Sequence, residues 1–179
     1  MKKILFLFFV FILQVKALAL IEVDITRGNL NPLPIAVSPL SIDEDSKKSF
    51  EKILKKKDIG SEISIVIENN LKISGLFNPL NKDAFLQAPD IANLKPRFED
   101  WNLIKAQALI TGKVKYKDEK LRVEFRLWDV LAGKEMMALA FTTVPSNWRR
   151  VGHIITDKVY ERLTGEKGYF DTRIIYVAE

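Results

Sequence analysis

Apolar and polar positions alternate first in residues 21–26, Ile-Glu-Val-Asp-Ile-Thr, the pattern of a half-buried or edge strand. Turn chemistry follows in residues 27–32, where Gly28, Asn29, Asn31 and Pro32 cluster. A second apolar stretch over residues 33–37 reads as a strand with Pro34 near its start. In residues 41–58 Phe50, Ile53 and Leu54 are spaced as on a short amphipathic helix, with a solvated basic face formed by Lys47, Lys48, Lys52, Lys55, Lys56 and Lys57. Such a face suits a membrane surface, but the neighbouring Asp43, Glu44, Asp45 and Glu51 favour an inserted surface helix.

From Ile59 the rhythm changes. Ile59, Ile63, Val66, Ile67 and Leu71 mark one helical face, with Asp58 placed to cap its start and Gly75 to end it. Residues 76–80 cross back toward the core. Pro89 and Pro96 bracket a polar connection, and residues 98–103, with Trp101, predict a short helix over one edge of a sheet. Three strands are expected next, over residues 106–116, 121–128 and 136–144, joined by turns at 117–120 and 131–134 as an antiparallel meander. In the middle strand Leu121, Val123, Phe125 and Leu127 share one face, and Arg122, Glu124, Arg126 and Trp128 the other. Residues 145–147 open a second long helix whose inner face carries Trp148, Val151, Ile155, Val159 and Leu163, and Gly165 ends it. Residues 170–178 read as a terminal strand. The order of elements predicts an α/β (α+β) fold, two main helices packed on one mixed sheet.

The first 19 residues stand outside that fold. Lys2 and Lys3, the unbroken apolar run of residues 4–13 and then Ala17-Leu18-Ala19 give the order of a secretory signal peptide, cleaved near Ala19. The apolar run is too short to span a bilayer. Removing it takes three lysines and no acid, so Lys+Arg falls from 28 to 25 against 23 acids and the net charge from +5 to about +2. The basic balance therefore belongs to the precursor and does not argue for nucleic acid. Without cysteine there is no lipid-anchoring thiol, disulfide or thiolate nucleophile.

Candidate chemistry is sparse. His153 is the one histidine and sits mid-helix four residues before Asp157, the spacing of an ordinary helix-surface pair. One histidine and no cysteine do not make a zinc site. Asp43-Glu44-Asp45 lacks the spacing of a calcium loop, and no glycine-rich phosphate cradle is present. Asp118 and Glu119 fall at a hairpin tip, too exposed for a raised pKa. Trp148-Arg149-Arg150 could stack on bases, but its position at a helix start favours a core tryptophan with solvated arginines. No enzyme, cofactor or metal is expected. The segment left over is residues 20–26, a short alternating strand that cleavage would free to pair with a sheet edge, its own or a partner's.

Several stretches resemble the N-terminal part of the TolB family of the Tol-Pal envelope system. They are the strand after the signal peptide, residues 34–39 (Pro-Ile-Ala-Val-Ser-Pro), residues 74–80 (Ser-Gly-Leu-Phe-Asn-Pro-Leu) and Trp101. To these are added residues 108–114 (Ala-Leu-Ile-Thr-Gly-Lys-Val), 125–129 (Phe-Arg-Leu-Trp-Asp) and the long run 150–177. The Lys-rich insert near 44–57 departs from the pattern. The resemblance implies an N-terminal domain similar to the anticodon-binding domains of class II tRNA synthetases, over residues 20–167, with residues 168–179 as the first strand of a truncated β-propeller. It implies a non-enzymatic periplasmic adaptor that supports outer-membrane invagination at cell division and envelope integrity. The family's extreme N-terminus binds the C-terminal domain of TolA, and that role carries onto Leu20, Ile21, Glu22, Val23, Asp24, Ile25 and Thr26. Binding of the lipoprotein Pal is expected only where a propeller is present. No nucleic-acid partner and no stable membrane insertion after cleavage are expected. The alternative from the residues alone is a stand-alone periplasmic domain for a small ligand or lipid, which would need a sizeable apolar pocket with a few convergent polar groups.

Overall fold

A computed structural model describes residues 31–56 and 58–172. Six strands form one mixed sheet: β1 (Leu33–Val37), β2 (Ser41–Ile42), β3 (Phe77–Pro79), β4 (Ala108–Lys117), β5 (Lys120–Asp129) and β6 (Lys134–Thr143). Their order is β3-β1-β4-β5-β6, and β2 also pairs with β4. β1 runs parallel to both β3 and β4, and β2 parallel to β4. The other half is the expected antiparallel meander.

β1 and β2 act as one interrupted strand along β4: β1 faces Ala108 to Ile110, and β2 faces Lys113 and Val114. Pro39, with no N–H to donate, lies at the break. Leu40 N–H donates instead to Ser64 Oγ at 3.0 Å, which bridges the break to a helix. The chain approaches so closely here that a Cβ on Gly60 would stand 2.0 Å from the Leu40 carbonyl oxygen.

Five helices pack on this sheet: α1 (Glu44–Leu54), α2 (Ile59–Ile73), α3 (Pro89–Leu94), α4 (Phe98–Leu103) and α5 (Trp148–Thr164). The capping expected from sequence is present. Asp58 accepts from Ser61 N–H at 3.0 Å, Gly75 takes φ 74° after α2, and Gly165 takes φ 75° after α5. Asp43 caps α1 by accepting from Ser46 N–H at 2.8 Å, a bond that holds its carboxyl pKa below the ordinary range. α1 is thereby a docked element of the fold: Phe50 is fully buried and meets Tyr116 edge-on at 5.5 Å, while its lysines face outward.

α2 and α5 cover one face of the sheet, burying Ile35, Val37, Ile110, Val123, Phe125 and Leu127 beneath Ile63, Ile67, Ile155 and Val159. The opposite face carries a smaller core of Ala36, Leu109, Ala92, Ala106, Trp101 and Val130. Here the structure corrects two expectations. Within the connection expected between Pro89 and Pro96, Pro89–Leu94 form a helix, α3. α4 seats Trp101 under the second face of the sheet rather than along an edge. Trp101 Nε1–H donates to Gln87 Oε1 at 2.7 Å, which satisfies the indole in its buried site. The hairpin between β4 and β5 turns on Asp118 and Glu119 alone, with φ 52° and 58°, the two left-handed residues of a type I′ turn.

Candidate interaction surfaces

The partner-binding segment expected at Leu20, Ile21, Glu22, Val23, Asp24, Ile25 and Thr26 lies outside the described residues, as does most of the expected terminal strand. Of that strand Phe170 and Asp171 are bent, not extended. What bends them is Asp157, whose two carboxylate oxygens accept from Phe170 N–H at 2.7 Å and Asp171 N–H at 3.1 Å. Asp171 in turn takes a two-pronged hydrogen bond from Arg150, with Nε and Nη2 both 3.0 Å from its oxygens. Tyr160 packs edge-on against Tyr169 and Phe170, which stack on each other at 4.5 Å. Gly168 closes the approach: a Cβ there would lie 2.4 Å from Asp157 Cα. Residues 168–171 are thus clasped onto the outer side of α5. The i, i+4 spacing of His153 and Asp157 suggested a surface pair. Instead His153 Nδ1 lies 2.9 Å from Asn70 Nδ2 on α2, and Asp157 serves the clasp.

Several other charged positions singled out in the sequence serve the fold. Glu44 pairs with Lys47, and Trp148 is buried with Lys56 and Arg149 over its ring at 5.2 and 5.0 Å. Arg150 belongs to the clasp. Among the described residues no three His, Asp or Glu side chains gather as metal ligands, and no helix is long and apolar enough to cross a membrane.

Two grooves remain. The larger, about 450 Å³, lies between β2, α2 and α3 beside Pro39, Lys47, Asp58 and Asp90. Asp58 is engaged by Ser61 N–H and Oγ, and Lys47 by Glu44, so its polar groups serve the helix ends. The smaller, about 220 Å³, runs between β6 and the first half of α5, lined by Phe141, Thr143, Asn147, Arg150, Val151 and Ile154. It flanks an edge strand that has no neighbour on its outer side among the described residues. Sequence reasoning placed β6 correctly but missed that it ends the sheet. Its exposed, uncharged middle was the available sign.

A mixed sheet with helices on both faces, ending in β3 on one side and β6 on the other, is the frame of an α/β domain. The family model of the TolB amino-terminal domain matches residues 21–136, and the chain belongs to that family. It is 83% identical over 175 residues to the Tol-Pal system protein TolB of Pelagibacter ubique (strain HTCC1062), covering 98% of this chain and 39% of that protein. The chain therefore spans about two fifths of that relative's length. Its fold resembles the crystal structure of TolB from Acinetobacter baumannii with a TM-score of 0.61 at 21% identity, over 85% of this chain and 33% of that one.

Proposed function

We propose that the chain is a non-enzymatic periplasmic component of the Tol-Pal system, exported with cleavage near Ala19. In this reading residues 20–26 pair as a strand with the C-terminal domain of TolA, in support of outer-membrane invagination at division. The identity of 83% to a Tol-Pal system protein carries the system assignment. The alternating apolar and acidic pattern of residues 21–26 supports strand pairing as its means. In this reading residues 168–179 begin a propeller, with the clasped residues 168–171 as the joint that fixes its start to α5. Pal binding belongs to a chain that carries the whole propeller.

Calorimetry of the exported chain with the TolA C-terminal domain, beside a form lacking residues 20–26, tests this. Binding by the first and none by the second is the expected result. Equal binding by both would remove the N-terminal strand from the mechanism, and no binding by either would overturn the TolA assignment for this chain.

A further inference from the structure

Edge strands are commonly protected by shortness, proline, charge or a bulge. β6 has ten residues, and residues 136–144 contain neither a charge nor a proline. Its only protection lies at one end. The register shifts between Leu127 and Trp128, so that Leu127 faces Met137 and Trp128 faces Glu135. Met136 is the bulged residue, and its carbonyl accepts from Arg162 Nε at 3.4 Å. Residues 137–143 pair with β5 in unbroken register and present their other side outward.

The two faces beside this edge differ in chemistry. Met137, Leu139, Phe141 and Thr143 point to the α5 side, since each is paired with an inward residue of β5. α5 does not fully cover them. Leu139 stays 39% exposed, and the 220 Å³ groove opens beside Phe141, Val151 and Ile154. A strand added outside β6 would stand about 4.8 Å away and send every second side chain into that groove. On the opposite face β6 offers only Ala138, Ala140 and Thr142, and behind them stand Arg126, Glu124 and Arg122 of β5. Lys113 and Arg122 share Glu124, each at 2.9 Å, and Arg126 pairs with Glu135 at 3.2 Å. With Lys115, which also meets Asp43, on the same face, four cations stand against three carboxylates. The added strand would lie two spacings, about 10 Å, from β5. An arginine reaching over the alanines and a carboxylate reaching back can close that gap together.

We propose that the β6 edge receives an extended segment of another protein in which apolar side chains alternate with acidic ones. The apolar set enters the groove beside α5, and the acidic set lies over Ala138 and Ala140 toward Arg122 and Arg126. A second copy of β6 offers the apolar set alone: residues 136–143 carry no acid, and the copy would bring another basic face alongside. The chain's own residues 20–26 have the right alternation, but reach disfavours them. β1 begins three strand spacings from β6, so the added position is about 19 Å from β1. The seven steps from Thr26 to Leu33 extend to at most about 25 Å, which leaves only about 6 Å to turn the end of the sheet.

The probe is a labelled, acetylated seven-residue peptide alternating valine and glutamate, titrated with the exported chain and followed by fluorescence anisotropy. Saturable binding is expected, about tenfold weaker for the Arg122→Gln/Arg126→Gln variant and for a valine–lysine peptide. Leu139→Lys is expected to abolish it with the thermal unfolding unchanged. A form lacking residues 20–26 should bind the probe as the whole chain does, which separates this surface from the TolA strand. Equal binding of both peptides, or none at millimolar concentration, would overturn the proposal. So would sedimentation showing a dimer that Leu139→Lys dissolves, because the edge would then belong to a second copy.

Discussion

At one side of the sheet β3 contributes three residues, ends in Pro79, and is held by a fully packed Phe77 that meets Tyr160 edge-on at 6.1 Å. At the other, β6 contributes ten residues held mainly by its ladder to β5, with Leu139 half open to solvent. Both are edges, yet the short one is anchored by a buried side chain and the long one by backbone pairing. The contrast teaches where each draws its stability. β3 depends on a single packed ring, and β6 can lose its exposed side chains without loosening.

That contrast breaks most visibly on truncation. Phe77→Ala is expected to cost about 3 kcal/mol, because it removes a buried ring and leaves a cavity against Tyr160. Leu139→Lys should change stability by less than about 0.5 kcal/mol, as for other exposed positions. Urea denaturation of the two variants side by side measures both, and comparable losses would mean that β6 is packed as tightly as β3.

The clasp is a third way to hold an extended segment, with neither ladder nor deep burial. Asp157→Ala removes two acceptors at once and should cost about 1–2 kcal/mol. Trypsin cleavage after Lys167 should become faster in that variant. An unchanged digestion rate would show that the rings of Tyr160, Tyr169 and Phe170 suffice without the carboxylate.

The smallest expected effect is on the basic face beside β6. Lys113 first, and then Arg122, hold the Glu124 carboxyl pKa below its ordinary value of 4.5 by hydrogen bonding to the charged form. The folded chain thus binds this proton less readily than the unfolded one. The stabilisation is present above the ordinary carboxylate pKa and lost as pH falls through the lowered folded value. Glu124→Gln should flatten that part of the acid limb of a stability–pH curve and leave the rest in place. An unaltered acid limb would assign it to other carboxylates, Asp43 among them.

The meander and the two long helices were legible because their apolar spacing is regular and their inward residues are large. Leu121 to Leu127 alternate, and Ile59 to Leu71 keep a helical rhythm, and both sets are buried. α3 was not legible for the opposite reason. Its buried residues are Ala92 and Asn93, while Ile91 and Leu94 are exposed, so the helix shows no apolar stripe. The second face of the sheet escaped notice because β1 and β4 place Ala36 and Leu109 there within nearly continuous apolar runs, which do not reveal two-sided burial. Of the candidate sites, the role of Asp157 was hidden, since i, i+4 spacing pointed to His153 and the actual partners are backbone groups thirteen and fourteen residues on. The N-terminal partner strand was read from alternation alone and lies outside the described residues.

Gly152 sits in the second turn of α5, where a Cβ would come within 2.8 Å of Val66 Cγ1 on α2. Two helices that meet through a missing side chain share one allotment of volume. In this family, a chain that gains a methyl at 152 should give up the whole side chain at 66, because Val66 Cβ itself would stand 2.9 Å away, so alanine at 152 with glycine at 66 is the pairing to look for. The distance between the helices would then be inherited through a pair of residues, even as each of them drifts.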